Sequence, residues 1–219
     1  MYQAILFDLD GTLLNTNALI IHTFQYTLEK HLGIQVKPEE LTPYFGEPLR
    51  VTLSRFAPKN VDELVATYRA HNALKHDELT TIFPHVRETL AQLYEMGIKL
   101  GVVTSKFKPS ALKGLELFGL TPYFEVIIGL DDIPEHKPHP APIEKALKEM
   151  KVKAPHALMV GDSPMDLRCA RNAGVDSALV SYSLLPPEAL AAEKPTYVLQ
   201  DLRDLLTILQ YPQQKVSNK

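Results

Sequence analysis

One cysteine, Cys169, in 219 residues excludes an internal disulfide and suits a reducing compartment. No apolar run approaches the ~20 residues that a membrane-spanning helix needs. The first residues, MYQAILFDLDGT, carry no basic stretch, no long apolar stretch and no small-residue cleavage site, so no secretory leader is expected. Nor is there an excess of cations. Lys and Arg number 23 against 26 Asp and Glu, a net charge of -3, which leaves no basic field to draw the chain to nucleic acid or anionic lipid. No internal repeat is visible. These absences predict a cytoplasmic protein with neither a nucleic-acid nor a membrane partner; they leave its oligomeric state open.

What is present is ordinary in amount and specific in order. Hydrophobic residues make up 45% and charged residues 22%, enough for one domain, or one with a modest insertion, around a real core. Short apolar, β-branched runs predict strands at Ala4–Phe7, 100–103, Val126–Ile128, 157–160, 178–180 and Tyr197–Leu199. Polar residues do not interrupt them, as expected of strands buried on both faces of a parallel sheet. Between them lie helical patterns. Val86, Leu90, Leu93 and Tyr94 predict one face of a helix over 86–96, stopped by Gly97. Ala111, Leu112, Leu115 and Phe118 repeat the pattern up to Gly119, and Ala141–Met150 and 166–173 add two more. Alternating strands and helices imply right-handed crossovers and an α/β fold with a doubly wound parallel sheet.

One interval breaks the alternation. About 90 residues separate the first two long strands, far more than a crossover requires. Helical patterns at Asn17–Leu32 and 61–74, with Pro- and Gly-containing loops between, predict an α-helical cap over 15–82 inserted into an α/β core of 1–14 and 83–219. The polar end, YPQQKVSNK, is expected to fray.

The chemistry gathers at predicted strand ends, the edge of an open parallel sheet where ligands bind. Asp8 and Asp10 stand two apart after the first strand, with Gly11 to turn the chain, and two such carboxylates repel unless a cation or proton joins them. A surface turn is the plain alternative, made less attractive by the buried strand before it. Gly161-Asp162-Ser163-Pro164-Met165-Asp166 puts another glycine and two acids after the strand at 157–160. Asp166 can be explained as an acid at a helix N-terminus, Asp162 cannot. With Asp8 and Asp10 it supplies the oxygen ligands a hard cation such as Mg²⁺ requires. Thr104 and Ser105 offer hydroxyls and backbone N–H groups to phosphate oxygens, although either could merely cap a helix. Lys137, held between prolines at 138 and 140 in the run HKPHP, can screen Asp8 and bind a phosphoryl group, or be an ordinary loop lysine.

The ordered set FDLDGT, VVTS, HKPHP and GDSPMD resembles the haloacid dehalogenase superfamily of phosphohydrolases along the whole chain, helical insertion included. The resemblance implies a Rossmann-like core, Asp8 as nucleophile, Asp10 as general acid and base, and Thr104, Ser105 and Lys137 as phosphate contacts. It further implies Mg²⁺ held by Asp8, Asp162 and the main-chain carbonyl of Asp10, with Asp166 in support. The stretches FDLDGTLLNTNALI and TYRAHNALKHDEL are most similar to a branch containing phosphoglycolate phosphatases and, within it, to Gram-positive bacterial pyrophosphatases linked to serine-phosphorylated HPr. Asn15-Thr16, where the broader branch often carries Asp-Ser, favours the latter.

The expected substrate is therefore pyrophosphate, with phosphoglycolate or another small phosphomonoester as the alternative. A sugar phosphomutase and a non-catalytic phosphate-binding regulator are less favoured, and dehalogenation less still, because Asp10, Asp162 and Asp166 are all present. A cap that selects pyrophosphate should present cations. Arg50 is the first expectation, with Arg69 and His76 after it; Lys75 and His71 read more simply as solvated.

Overall fold

The structure is a computed structural model that describes residues 1–210; the tail at 211–219 lies outside the described residues. Its elements begin with strands β1 (Ala4–Phe7) and β2 (Leu14–Asn15). Helices α1 (Asn17–Leu32), α2 (Pro38–Leu41), α3 (Leu49–Phe56) and α4 (Val61–Leu79) follow. Next come β3 (Thr81–Ile82), α5 (Val86–Glu95), β4 (Lys99–Val103), α6 (Lys108–Leu117) and β5 (Val126–Ile128). The rest are α7 (Ala141–Met150), β6 (Ala157–Gly161), α8 (Pro164–Asn172), β7 (Asp176–Val180), α9 (Pro187–Ala191), β8 (Tyr197–Leu199) and α10 (Asp204–Gln210).

Six strands form one sheet in the order β5-β4-β1-β6-β7-β8, every neighbouring pair parallel. The apolar run AILF becomes the central strand because both its faces are buried. Ile5 and Phe7 join Leu90, Val102 and Leu205 on one side; Ala4 and Leu6 join Ile143, Met150 and Cys169 on the other. Phe7 stands level with Val102 of β4 and Val160 of β6, so the ends of these three strands lie side by side. The chain runs outward through β4 to β5 and then returns to β6 across β1, which makes the tip of β1 the topological switch point.

Most predicted elements form, with instructive differences. α5 buries Val86, Leu90 and Leu93, but Tyr94 is 57% exposed and meets Tyr123 edge to face. It stands at the margin of the apolar stripe, and its ring caps the core rather than entering it. α8 begins at Pro164, two residues before the predicted start, because Ser163 caps it and proline suits a first turn. α4 continues five residues past 74, to Leu79; Leu74 itself is exposed, so the apolar signal fades before the helix does. β2 and β3 were not expected. They pair antiparallel, Leu14 with Ile82 and Asn15 with Thr81, and carry the chain out of the core and back. Strands this short show no alternation to read.

Between β2 and β3, α1 to α4 enclose a separate apolar cluster that includes Phe24, Leu28, Leu53 and Leu64. This helical layer meets the core where α4 approaches α6: the buried ring of His76 lies beside Gly114, with Leu14 next to it. No helix among the described residues is long and apolar enough to cross a membrane.

Candidate active site

Asp8 follows β1 directly, and its N–H donates to Val160 O at 2.8 Å, so the sheet ladder holds its backbone. The carboxylate is buried, and Oδ1 accepts from Lys137 Nζ at 2.7 Å. That ammonium also donates to Asp166 Oδ1 at 2.6 Å and to Val103 O at 3.2 Å, which satisfies all three of its donors. Burial alone would lower the Lys137 ammonium, but Asp166 and Asp8 outweigh it and hold it above its ordinary value. Burial, with the charges of Asp166 and Asp10, pushes Asp8 up to about 7 against the pull of Lys137.

Two residues on, the chain turns at Gly11 with φ +84°; a Cβ there would lie 2.4 Å from Asp162 Oδ2, so only glycine fits. Asp10 accepts from Thr16 Oγ1 at 2.8 Å and from Lys106 Nζ at 2.8 and 3.1 Å through its two oxygens. From the end of β6 comes Asp162, within reach of the Thr12 hydroxyl at 3.5 Å. Burial and then the charges of Asp166 and Asp8 push it well above the usual carboxylate range. Asp166 lies behind it, its Oδ2 taken by Ser163 Oγ at 2.6 Å and Ser163 N at 3.1 Å. At the end of β4, Thr104 N donates to Ile128 O at 3.0 Å, and the Thr104 hydroxyl accepts from Lys106 N at 3.2 Å. The Ser105 hydroxyl is buried without a hydrogen-bond partner among the described residues.

Carboxylate oxygens of Asp8, Asp162 and Asp166 lie within 4.8 Å of one another. Lys137 is the one buried ammonium among them, so negative charge remains for a cation or protons to offset. The donor set, all oxygen and mostly carboxylate, fits a hard divalent ion. Above it opens a cavity of about 150 Å³.

Asp8, Asp10, Thr104, Ser105, Lys137 and Asp162 all line that cavity, brought there by the ends of β1, β4 and β6 and by the loop after β5 that carries Lys137. Asp166 sits behind the lining. Of the candidate cations from the helical layer, only Arg69 lines it. Arg50 is turned outward, paired at 2.5 Å with Asp62, both side chains largely exposed. His76 is buried against α6, with Nδ1 on Asp77 at 2.8 Å; burial, foremost, lowers its pKa and favours the neutral ring. Lys75 pairs with Glu78, and His71 stacks on Tyr26. The sequence reading missed Lys106, Thr16 and Glu47. Lys106 follows the Thr104-Ser105 hydroxyls directly, and Glu47 sits in the Gly46-Glu47-Pro48 turn; those positions were the available signals.

A family model described as haloacid dehalogenase-like hydrolase matches residues 5–180, across every strand-end motif described above. The chain belongs to this family. As a haloacid dehalogenase-like hydrolase it has relatives of nearly its own length. It is 52% identical to the "Putative pyrophosphatase PpaX" of Caldanaerobacter subterraneus subsp. tengcongensis over 94% of both chains. It is 42% identical to the pyrophosphatase PpaX of Halalkalibacterium halodurans over 94% of this chain and 96% of that one. Among solved structures, a haloacid dehalogenase-like family hydrolase of Streptococcus pneumoniae superposes with a TM-score of 0.86 at 26% identity, covering 95% of this chain and 99% of the other.

Proposed function

We propose that this hydrolase splits inorganic pyrophosphate into two phosphates through a phosphorylated Asp8, with the helical layer serving as a cap over the site. The observation that carries the reading is the state of Asp8. Lys137 grips one of its oxygens, and the other makes no hydrogen bond within the described residues and faces a cavity sized for a small anion. The pyrophosphatase relatives supply the leaving group.

The free Asp8 oxygen attacks one phosphorus as the bridging P–O bond breaks. Lys137 keeps the nucleophile oriented and screens its charge from the incoming anion, while Thr104 and Ser105 receive the transferred phosphoryl oxygens. Asp10, held by Thr16 and Lys106, gives its proton to the departing phosphate. It then takes a proton from the water that attacks the phosphorus of the aspartyl-phosphate, which restores the Asp8 carboxylate and returns Asp10 to its acid form. The clustered carboxylates of Asp8, Asp162 and Asp166 fit Mg²⁺; Asp8, Asp162 and the Asp10 carbonyl would hold it, with Asp166 in support, and it would offset phosphate charge there. The setting proposed is the cytoplasm, consistent with the one cysteine, Cys169, being a buried free thiol.

A second reading has one observation in its favour. Ile20, Phe24, Phe45 and Leu49 give the cavity an apolar wall that a carbon-based leaving group would use better than phosphate. Small phosphomonoesters such as phosphoglycolate are therefore the alternative substrates. Comparing kcat/KM for pyrophosphate, phosphoglycolate and an aryl phosphate, with and without chelator, decides between them. Pyrophosphate is expected to be preferred, and the reading fails if it is not among the better substrates. Asp8→Asn is expected to abolish Mg²⁺-dependent turnover; retained wild-type rates would exclude the covalent route.

A further inference from the structure

The cavity is lined by three cations, Lys106, Lys137 and Arg69. Two are already engaged by acids. Lys137 is held by Asp8 and Asp166 at 2.7 and 2.6 Å, and Lys106 grips both oxygens of Asp10. Arg69 has no carboxylate partner among the described residues. Its guanidinium lies over the ring of Phe107, 5.0 Å from the centroid. Glu47, the acid that α3 and its preceding turn bring to the same cavity, does not neutralise it, because Arg55 takes Glu47 at 2.9 and 3.2 Å.

Arg69 and Asn72 stand three apart on α4, hence on one face of that helix, and both line the cavity. Phe107 lies on the core side, directly after the Thr104-Ser105-Lys106 loop, at the N-cap position just before α6. The stack therefore crosses from the helical layer to the core. An aromatic face holds a guanidinium in place without consuming its in-plane donors, and those donors match phosphate oxygens two at a time.

We infer that Arg69, seated on Phe107 with Asn72 beside it, forms the subsite for the leaving phosphate and sets the preference for an anhydride over an ester. This rests on the pyrophosphate reading and names the residue that enforces it. Lys106 and Lys137 are tied to the acids of the reaction; Arg69 is the cavity cation left to meet a second anionic group. Phe107 is a positioning residue, acting through Arg69.

The test is the ratio of kcat/KM for pyrophosphate to that for p-nitrophenyl phosphate, whose leaving group is an aryl ring. Arg69→Met keeps an apolar stem for Phe107 and removes the charge. It is expected to lower the ratio by about 10- to 100-fold, the range for losing a hydrogen bond to a charged group. kcat on pyrophosphate should fall as well, since the departing phosphate gains charge as the bond breaks. Arg69→Lys restores charge without the fork and should recover part of the ratio. Phe107→Leu should lower it in the same direction by less. An unchanged ratio in Arg69→Met, whether both activities fall together or neither does, overturns the inference while leaving the pyrophosphate reading intact. Wild-type enzyme that leaves pyrophosphate untouched overturns that reading first, and the inference with it, before any variant is made.

Discussion

Gly46 abuts Ser163: a Cβ at position 46 would lie 2.8 Å from Ser163 Oγ and 2.9 Å from Ser163 Cβ. The first residue belongs to the helical layer, the second to the acid-bearing loop of the core. Ser163 cannot move aside cheaply, because it caps α8 and donates to Asp166 through both N–H and hydroxyl. The two layers therefore touch beside the buried acids Asp162 and Asp166 at a point where one of them has no side chain.

Gly46→Ala should separate the layers there. The residue sits at φ +84°, which a Cβ also strains, at a cost of about 1–3 kcal/mol. Misplacing the turn that carries Glu47 into the cavity is expected to lower kcat/KM by about 10-fold or more. Steady-state kinetics beside a thermal melt check this; full activity would show that the contact is dispensable.

Lys106→Met should impair Asp10. The carboxylate would keep only the Thr16 hydroxyl and lose both contacts to the ammonium. A loss in kcat of about 100-fold is expected, the scale of general acid–base catalysis. Thr16→Val removes the weaker tie and should cost less. The two variants compared on one substrate test the order.

Asp162→Asn should uncouple stability from Mg²⁺. A ligand that binds only the folded state raises its stability by about 2.7 kcal/mol at a hundred times Kd. Wild-type protein is expected to melt higher with Mg²⁺ and to return with chelator, while the variant shows little response. Without metal the variant should melt no lower than wild type, because a buried carboxylate crowded by Asp166 and Asp8 is gone. Differential scanning fluorimetry with a Mg²⁺ titration reads both effects.

Asp201 makes a prediction about acid. It accepts from His85 Nδ1 at 2.6 Å at the start of α5 and from Arg203 Nε at 2.9 Å. Arg203, foremost, and then His85 hold its carboxyl well below the usual range, against the opposing effect of burial. A folded-state value below the unfolded one means stability that is present above the unfolded pKa of about 3.9 and lost as pH falls through the folded value. Asp201→Asn should therefore be less stable than wild type at pH 7, with the difference shrinking in strong acid. Urea unfolding at the two extremes measures it; an equal deficit at both would refute the assignment.

Local sequence carried the central sheet and the residues at its tips. Ala4–Phe7 and 157–160 are apolar at every position, a pattern that only burial on both faces satisfies, and Asp8 and Asp162 follow such strands by covalent connection. Once the strands are parallel and adjacent, their ends must share one edge. Helix ends at Gly97, Gly119 and Gly174 were legible for the same local reason, since each adopts the positive φ that stops a helix.

Which cation from the helical layer meets the cavity was not a local matter. Arg50 and Arg69 are alike as side chains on polar helix surfaces, and the turn before Arg50 made it look the better placed. The fold pairs Arg50 with Asp62 in solvent and lays Arg69 over Phe107, a residue 38 positions later in the chain. Lys106 on Asp10 and Gly46 against Ser163 are settled the same way. A residue's place along a strand or helix follows from its neighbours in sequence. The side that helix turns toward the sheet follows from packing α1 to α4 around their own apolar cluster and seating that layer on the core, and contacts so distant along the chain exist only once both layers are built.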